Sequence, residues 1–306
     1  MRRSIFLAAQ KSRLFLLMLT PLFFSGCMSI QEAAHEGDIK HIKFLLALGT
    51  NIDSNTWFGD QGTALHRACS AGQVETVEFL LERGANVNAG NEAAEFPIHY
   101  AAENGHAEIV KILLENGALA NPKLGYTGKV PLNYAVRVSS IEAVKILLDN
   151  SADINTKGID GYTPLNTAVS ARNIEMVKFL LSKGADVNIG AVYDRRPVIS
   201  AVSNGNIEMV TLLIEAGAEL NFLSNGLTPL IIAVRNDDKN VTELLLAHGA
   251  DVNARSGYEH NPLSIACARN NAEIGRILLK YGADTEFEYK GKNLSPSFIR
   301  KIREED

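Results

Sequence analysis

The chain has 306 residues, 35 acidic against 30 basic, and a formal net charge of −5. That balance excludes a nucleic-acid binder, which relies on clustered Lys and Arg. Cys27, Cys69, Cys267 and the seven histidines show no metal-ligand spacing, and neither a nucleophile elbow nor a phosphate loop is present. The sequence therefore assigns no catalytic residue, no metal and no cofactor, and it reads as a non-enzyme.

Residues 1–26 stand apart from the rest. Arg2, Arg3, Lys11 and Arg13 make a basic leader without an acidic residue, and eleven uncharged, mostly apolar residues follow from Leu14 to Phe24. The stretch is too short to span a bilayer and has the build of a signal peptide. It ends in Phe24-Ser25-Gly26-Cys27, which resembles the bacterial lipobox, although Phe24 stands where that pattern usually has Leu. The resemblance implies that Cys27 is acylated and becomes the new N-terminus. Cleavage removes four basic residues and no acidic one, so the mature protein is more acidic than the whole chain. Met28, rather than Asp, follows the cysteine; by the sorting rules of such lipoproteins this places the protein on the periplasmic face of the outer membrane. Two alternatives stay open: an ordinary signal peptide with an incidental cysteine, and a start at Met28 that yields an unlipidated cytoplasmic form.

From about residue 30 a Leu-Leu-x-x-Gly-like signature returns at a nearly fixed interval. Its glycine slot holds Gly49, Gly84, Gly117, Ser151, Gly184, Gly217, Gly249 and Gly282, so the successive intervals are 35, 33, 34, 33, 33, 32 and 33 residues. A period near 33 means a stack of small units and not a globule with one central core. A second signature keeps the same beat: Thr63-Ala64-Leu65-His66, Phe96-Pro97-Ile98-His99, Val130-Pro131-Leu132-Asn133, Thr163-Pro164-Leu165-Asn166, then Pro197, Pro229 and Pro262, each followed by Val or Leu. Proline suits the first turn of a helix because it has no N–H to lose, and Thr before it can cap. Ala68, Ala101, Ala135, Ala168, Ala201, Ala233 and Ala266 let neighbouring helices approach. Second helices carry apolar residues at helical spacing, such as Ile174, Val177, Leu180 and Leu181. Glycine then supplies a left-handed cap, and Ser151 in that slot predicts local strain of order 1 kcal/mol.

These features resemble the ankyrin repeat, with its T-P-L-H-x-A helix start and its Gly-Ala-Asp-Val-Asn turn; Ala185-Asp186-Val187-Asn188 and Ala250-Asp251-Val252-Asn253 match the turn outright. The resemblance covers about residues 30–285. It implies an all-α repeat fold, a solenoid of about eight stacked helix-turn-helix and β-hairpin units. The domain plan is a lipoprotein signal peptide over 1–26, repeats over 27–285, and a capping segment over 286–306. In that last segment Ser295-Pro296 starts a short helix through Phe298, Ile299 and Ile302. Cys69 and Cys267 share one repeat slot, filled elsewhere by Ala102, Val136, Val169, Val202 and Val234, so they read as buried small apolar residues. Six repeats apart, they are on the order of 50–60 Å from each other at helix spacings of 8–10 Å, far beyond disulfide reach. His66 and His99 fall where the ring ties adjacent loops, and His106 is likewise a repeat position.

In ankyrin stacks, partners dock on the concave face made by the fingertips and first helices. Here the fingertip slots hold Trp57, Phe58, Tyr126, Ile159, Tyr162, Val192, Tyr193, Arg195, Phe222, Leu223, Tyr258 and His260. Fingertips in this family are commonly polar, so aromatics there point to an interface, where Trp, Tyr and Arg dominate the energetics. Each aromatic could instead pack on a neighbouring finger, above all Phe222 and Leu223. First-helix positions add Arg67, Glu103, Arg137, Arg235 and Arg269. The candidate partner-binding residues are Trp57, Phe58, Arg67, Tyr126, Arg137, Tyr162, Tyr193, Arg195, Arg235 and Tyr258, with Cys27 for lipidation. The expected function is a membrane-anchored periplasmic scaffold that binds another protein, monomeric when unbound. The chain also resembles ankyrin-type immunity lipoproteins encoded beside antibacterial lipase toxins of type VI systems, which makes a lipase toxin the expected partner. A scaffold for an envelope stress enzyme such as catalase is the alternative, and an effector aimed at host proteins is a third.

Overall fold

The computed structural model describes residues 28–55, 62–122, 128, 130–158, 161–257, 260–286 and 295–304. Seventeen α-helices lie among them, eight antiparallel pairs and a last single helix. The pairs are α1 (Ile30–Glu36) and α2 (Ile39–Ala47); α3 (Ala64–Ala71) and α4 (Val74–Glu82); α5 (Pro97–Glu103) and α6 (Ala107–Glu115); α7 (Pro131–Arg137) and α8 (Ile141–Asp149). They continue with α9 (Pro164–Ser170) and α10 (Ile174–Ser182); α11 (Pro197–Ser203) and α12 (Ile207–Glu215); α13 (Pro229–Arg235) and α14 (Lys239–Ala247); α15 (Pro262–Ala268) and α16 (Ala272–Lys280). Helix α17 (Ser295–Glu304) closes the array.

Local chemistry sets these boundaries. Six first helices, from α5 to α15, begin with Pro, and Thr163, Thr228 and Asn261 cap α9, α13 and α15 through their side-chain oxygens. The first pair lacks that proline and starts instead on a capping box: Ser29 accepts from Glu32 N–H while the Glu32 carboxylate accepts from Ser29 N–H. Hydrogen bonds to the Glu32 carboxylate from the Ser29 backbone N–H and then from the Ser29 hydroxyl hold that carboxyl below its ordinary range. Second helices end on a left-handed residue, glycine in seven pairs and Ser151, at φ 67°, in the fourth. Ser151 keeps the glycine geometry at the strain that a Cβ adds in that region.

Packing follows the repeat. First helices pack on first helices and second on second, with α17 against α15 and α16. First helices make the more extensive contacts with one another along most of the stack. The close approach is made possible by the alanines of the first helices: Ala68, Ala101, Ala135, Ala168, Ala201, Ala233 and Ala266 are all buried, as are Leu80, Leu113, Leu147, Leu180 and Leu213 of the second helices. The result is one continuous core from Ile30 to Ile302, in which each fully buried Leu or Ile contributes roughly 1.5–3 kcal/mol. Phe298, Ile299 and Ile302 of α17 cover the last repeat, and Gly275 of α16 leaves the room for them, since a Cβ there would lie 3.0 Å from the Phe298 ring.

Two expectations need correction. Among the described residues no strand forms between the repeats; the one trace of the expected β-hairpins is an isolated bridge between Ser224 and Leu227. Side chains set the loop register instead. Asn88 donates to the Gly117 carbonyl (3.0 Å) and accepts from Leu119 N–H (3.1 Å), reaching into the next repeat. Asn188 does the same with Gly217 and Glu219, and Asn253 with Gly282 and Asp284. Backbone groups that a strand ladder would satisfy are thus satisfied across the interface by an asparagine. The second correction concerns the shared cysteine slot. Cys69 is fully buried, with its thiol pushed well above the ordinary range by desolvation, whereas Cys267, in the last repeat, is only half-buried. Among the described residues no helix is long and apolar enough to cross a membrane.

Candidate partner-binding groove

The loop joining α10 to α11 makes the fifth finger. At its tip Tyr193 (φ 59°, ψ 32°) and Asp194 (φ 51°) both adopt left-handed backbone, the geometry that hairpin turns usually give to Asn-Gly. The turn is closed by Ala191 N–H donating to the Arg195 carbonyl at 3.1 Å. Gly190 is required beneath it, because a Cβ there would sit 2.8 Å from the Asp194 Cα. Each non-glycine residue in this region costs of order 1 kcal/mol. The strain is maintained by Arg196, which bonds both Asp194 oxygens and Glu219 and lies 4.1 Å over the Phe222 ring. Burial alone would depress the Arg196 guanidinium, but the bonds from Asp194 and Glu219 outweigh it and push the group up. Ser224 of the next finger donates to the Tyr193 carbonyl at 3.2 Å. The outcome is a braced tip whose tyrosine is 78% exposed.

Between the fourth, fifth and sixth fingers and helices α11 and α13 lies a groove of about 640 Å³. Tyr162, Tyr193 and Leu227 supply its apolar rim, Ile199 of α11 and Ile232 of α13 its floor, and Arg195, Arg235 and Arg269 its charge. The three guanidiniums are not equivalent. Arg269 forms a two-point pair with Asp237, which holds that carboxyl below its usual range. Arg195 and Arg235 have no ion-pair partner among the described residues. The reason for Arg235 lies in the repeat register. It occupies the last position of its first helix, and the same slot holds Ser203 one repeat earlier and Ala268 one repeat later. In the fourth repeat the same slot is Arg137, and there the preceding repeat offers Glu103, paired at 2.8 Å.

Four of the ten residues expected to bind a partner, Tyr162, Tyr193, Arg195 and Arg235, therefore meet in one groove. Two others lie elsewhere. Arg137 is bound to Glu103 and stacked 5.1 Å over Tyr134, and Arg67 of α3 is half-buried with its Nε shielded from solvent. Trp57, Phe58, Tyr126, Tyr258 and Cys27 lie outside the described residues. Of the two fingertip residues expected to pack, Phe222 does so under Arg196, but Leu223 is exposed. Sequence reasoning missed Ile199 and Ile232, whose apolar helical spacing looks like core. Their signal was comparative: Thr167 occupies the Ile232 slot two repeats earlier, so that slot is not an obligatory core position.

His66 and the asparagines that replace it elsewhere are structural. His66 Nδ1 accepts from Thr63 N–H at 3.1 Å and its Nε2 meets the Glu95 carbonyl at 2.9 Å, tying two fingers together. Asn133 and Asn166 reach the Tyr162 and Ile189 carbonyls in the same way. Burial holds the His66 ring below its ordinary titration range. Among the described residues no group of His, Cys, Asp and Glu could hold a metal ion.

A family model described as ankyrin repeats (3 copies) matches residues 6–91, 88–158, 123–191, 152–224 and 198–289. A putative ankyrin repeat protein of Rickettsia bellii (strain RML369-C) is 54% identical over 35 residues, 11% of this chain and 21% of that protein. The chain thus spans about a fifth of the length of the curated relative it matches.

Proposed function

Because this chain belongs to the ankyrin-repeat family, whose members are protein-binding scaffolds, we propose that it holds a partner protein in the groove of Tyr162, Tyr193, Arg195 and Arg235. The single observation that carries this reading is the braced, exposed Tyr193 beside two guanidiniums with no ion-pair partner among the described residues. Tyr and Arg are the anchors that dominate interfaces, and the strain at the tip holds the tyrosine in place before any partner arrives. The charge asks for an acidic or carbonyl-rich patch opposite.

The finer reading rests on the lipobox-like leader for the anchor and on the resemblance to ankyrin-type immunity lipoproteins for the partner. The protein is a periplasmic lipoprotein, attached to the outer membrane through acylated Cys27, and its partner is an antibacterial lipase that it neutralises as an immunity protein. An inhibitor attached at the membrane sits where a phospholipase attacks, and covering the enzyme's lipid-docking side from there needs only surface contact.

Deletion of the gene should sensitise cells to a toxin-bearing sibling strain. Full-length wild type should restore resistance, whereas full-length protein carrying Tyr193→Ala and Arg235→Ala should not. In vitro, the wild-type protein should suppress phospholipid hydrolysis by the bound lipase. Equal resistance with and without the gene would remove the immunity reading, and unimpaired partner binding by the double variant would remove the groove.

A further inference from the structure

Helix α2 differs from every other second helix on one face. Its second residue is Lys40, whereas the same position holds Glu75, Glu108, Glu142, Glu175, Glu208 and Glu273 in six of the other seven pairs, and Asn240 in the remaining one. Four residues on is Phe44, 56% exposed, where the equivalent Phe79 is 9% exposed. Four further on is Leu48, 65% exposed, where five of the other seven repeats carry a polar residue (Arg83, Asn116, Asn150, Lys183, His248) and the remaining two carry Ala216 and Tyr281. Residues at i, i+4 and i+8 share one side of a helix, so Lys40, Phe44 and Leu48 form a single basic and apolar stripe.

Inside the stack this flank is covered by the preceding repeat. Lys178 reaches Glu208, Lys239 reaches Glu273, and Lys43 lies 5.2 Å over the Phe79 ring. The first repeat has no predecessor among the described residues. An end repeat that faced only water would carry polar residues here, as terminal units of solenoids do. This one loses its acid, gains a lysine, and keeps two large apolar side chains open. The chain also enters the fold at this place. The His41 ring on α2 holds the Met28 carbonyl at 3.1 Å, one residue beyond Cys27. The acidic groups of the repeat are Glu32 and Glu36 on α1, Asp38, whose side chain is occupied in capping α2, and Asp53 in the following turn, which accepts from Asn86 N–H.

We propose that the Lys40–Phe44–Leu48 face of α2 seats on an anionic phospholipid surface, orienting the solenoid on the membrane that holds it. This rests on the anchoring of Cys27 proposed above. Acyl chains fix where the protein sits; the stripe fixes how it lies, with Phe44 and Leu48 entering the headgroup boundary and Lys40 pairing with lipid phosphates, as basic amphipathic helices do.

The test uses full-length protein, purified as the membrane-processed form and reconstituted in vesicles of phosphatidylethanolamine and phosphatidylglycerol bearing brominated acyl chains. The only tryptophan is removed by Trp57→Phe, and one probe is introduced by Phe44→Trp or, at the same slot five repeats along, by Leu212→Trp. The probe at position 44 should be quenched by brominated lipid and the probe at 212 should not. Lys40→Gln should shift docking about fivefold toward the undocked state, as expected for one lysine near an anionic surface, and phosphatidylcholine vesicles should mimic that loss. An unquenched probe at 44 on an acylated protein that floats with vesicles overturns the seating and leaves the anchor standing. If mass spectrometry finds no acyl chains, the anchor fails. Salt-sensitive quenching at 44 in phosphatidylglycerol vesicles mixed with that protein would still support the face, and its absence would overturn it.

Discussion

Arg137 and Arg235 occupy the same slot, the last residue of a first helix, yet one is closed and the other open. Glu103 reaches Arg137 from the preceding repeat and Tyr134 stacks beneath it, whereas Arg235 has Ser203 and Ala268 as its counterparts on either side. Backbone geometry at the two sites is nearly the same, because the repeat makes it so. Function at a solenoid surface is therefore decided by what stands one repeat away, not by the residue alone. The scaffold rows, by contrast, repeat the same interaction in most units: buried Leu, capping Thr or Asn at α9, α13 and α15, and an Asn reaching into the following repeat.

This division can be broken most forcefully from the scaffold side. Leu180→Ala opens a cavity at a fully buried position and should cost about 2–5 kcal/mol, read by urea denaturation of the full chain. The groove side should respond in affinity and not in stability. Tyr193→Ala and Arg235→Ala should each weaken the partner captured by wild type by about 2 kcal/mol, roughly thirtyfold, with the thermal midpoint unchanged; calorimetric titration measures it.

Acid should act on the scaffold before the groove. The folded-state pKa of His66 is lowered, by desolvation first, so the unfolded chain takes up the proton more readily. The stability this ring contributes is complete above its ordinary value of 6.5 and falls as pH drops below it, by up to about 1.4 kcal/mol per unit until the depressed folded value is reached. Denaturation midpoints between pH 7 and 5 should show that slope in wild type and lose it in His66→Asn, the residue type that serves the same slot as Asn133 and Asn166. A smaller effect separates strain from function at the tip. Tyr193→Gly should stabilise the fold by about 1 kcal/mol by relieving the left-handed tyrosine, while weakening partner binding. Smallest of all, Arg137→Ala should change both stability and affinity by less than about 0.5 kcal/mol, since its pair with Glu103 is exposed.

The helix pairs were legible because Pro, Thr and Gly each impose a backbone geometry that the period repeats. The braced tip was only half legible. Tyr193 stood out as an aromatic in a polar slot, but nothing in Val192-Tyr193-Asp194 announces two consecutive left-handed residues; that follows from Gly190, Arg196 and Ser224 acting together. The status of the arginines was readable in principle from repeat alignment, since Glu103 lies 34 residues before Arg137, but only once an ion pair between equivalent slots was looked for. The asparagine rungs went unassigned because an Asn in a turn reads first as a local cap, and their true targets lie 28–32 residues away.

Those rungs carry a further consequence. Each asparagine touches only the unit that follows it, through main-chain atoms common to all the units, so it cannot tell which neighbour it has. A gene duplication that adds or removes one whole unit leaves every surviving rung with a correct target, whereas a shift of a few residues leaves a rung facing the wrong atoms. The array can thus grow or shrink by unequal crossing-over without redesign, and a groove bounded by consecutive fingers can be carried intact into a longer or shorter descendant.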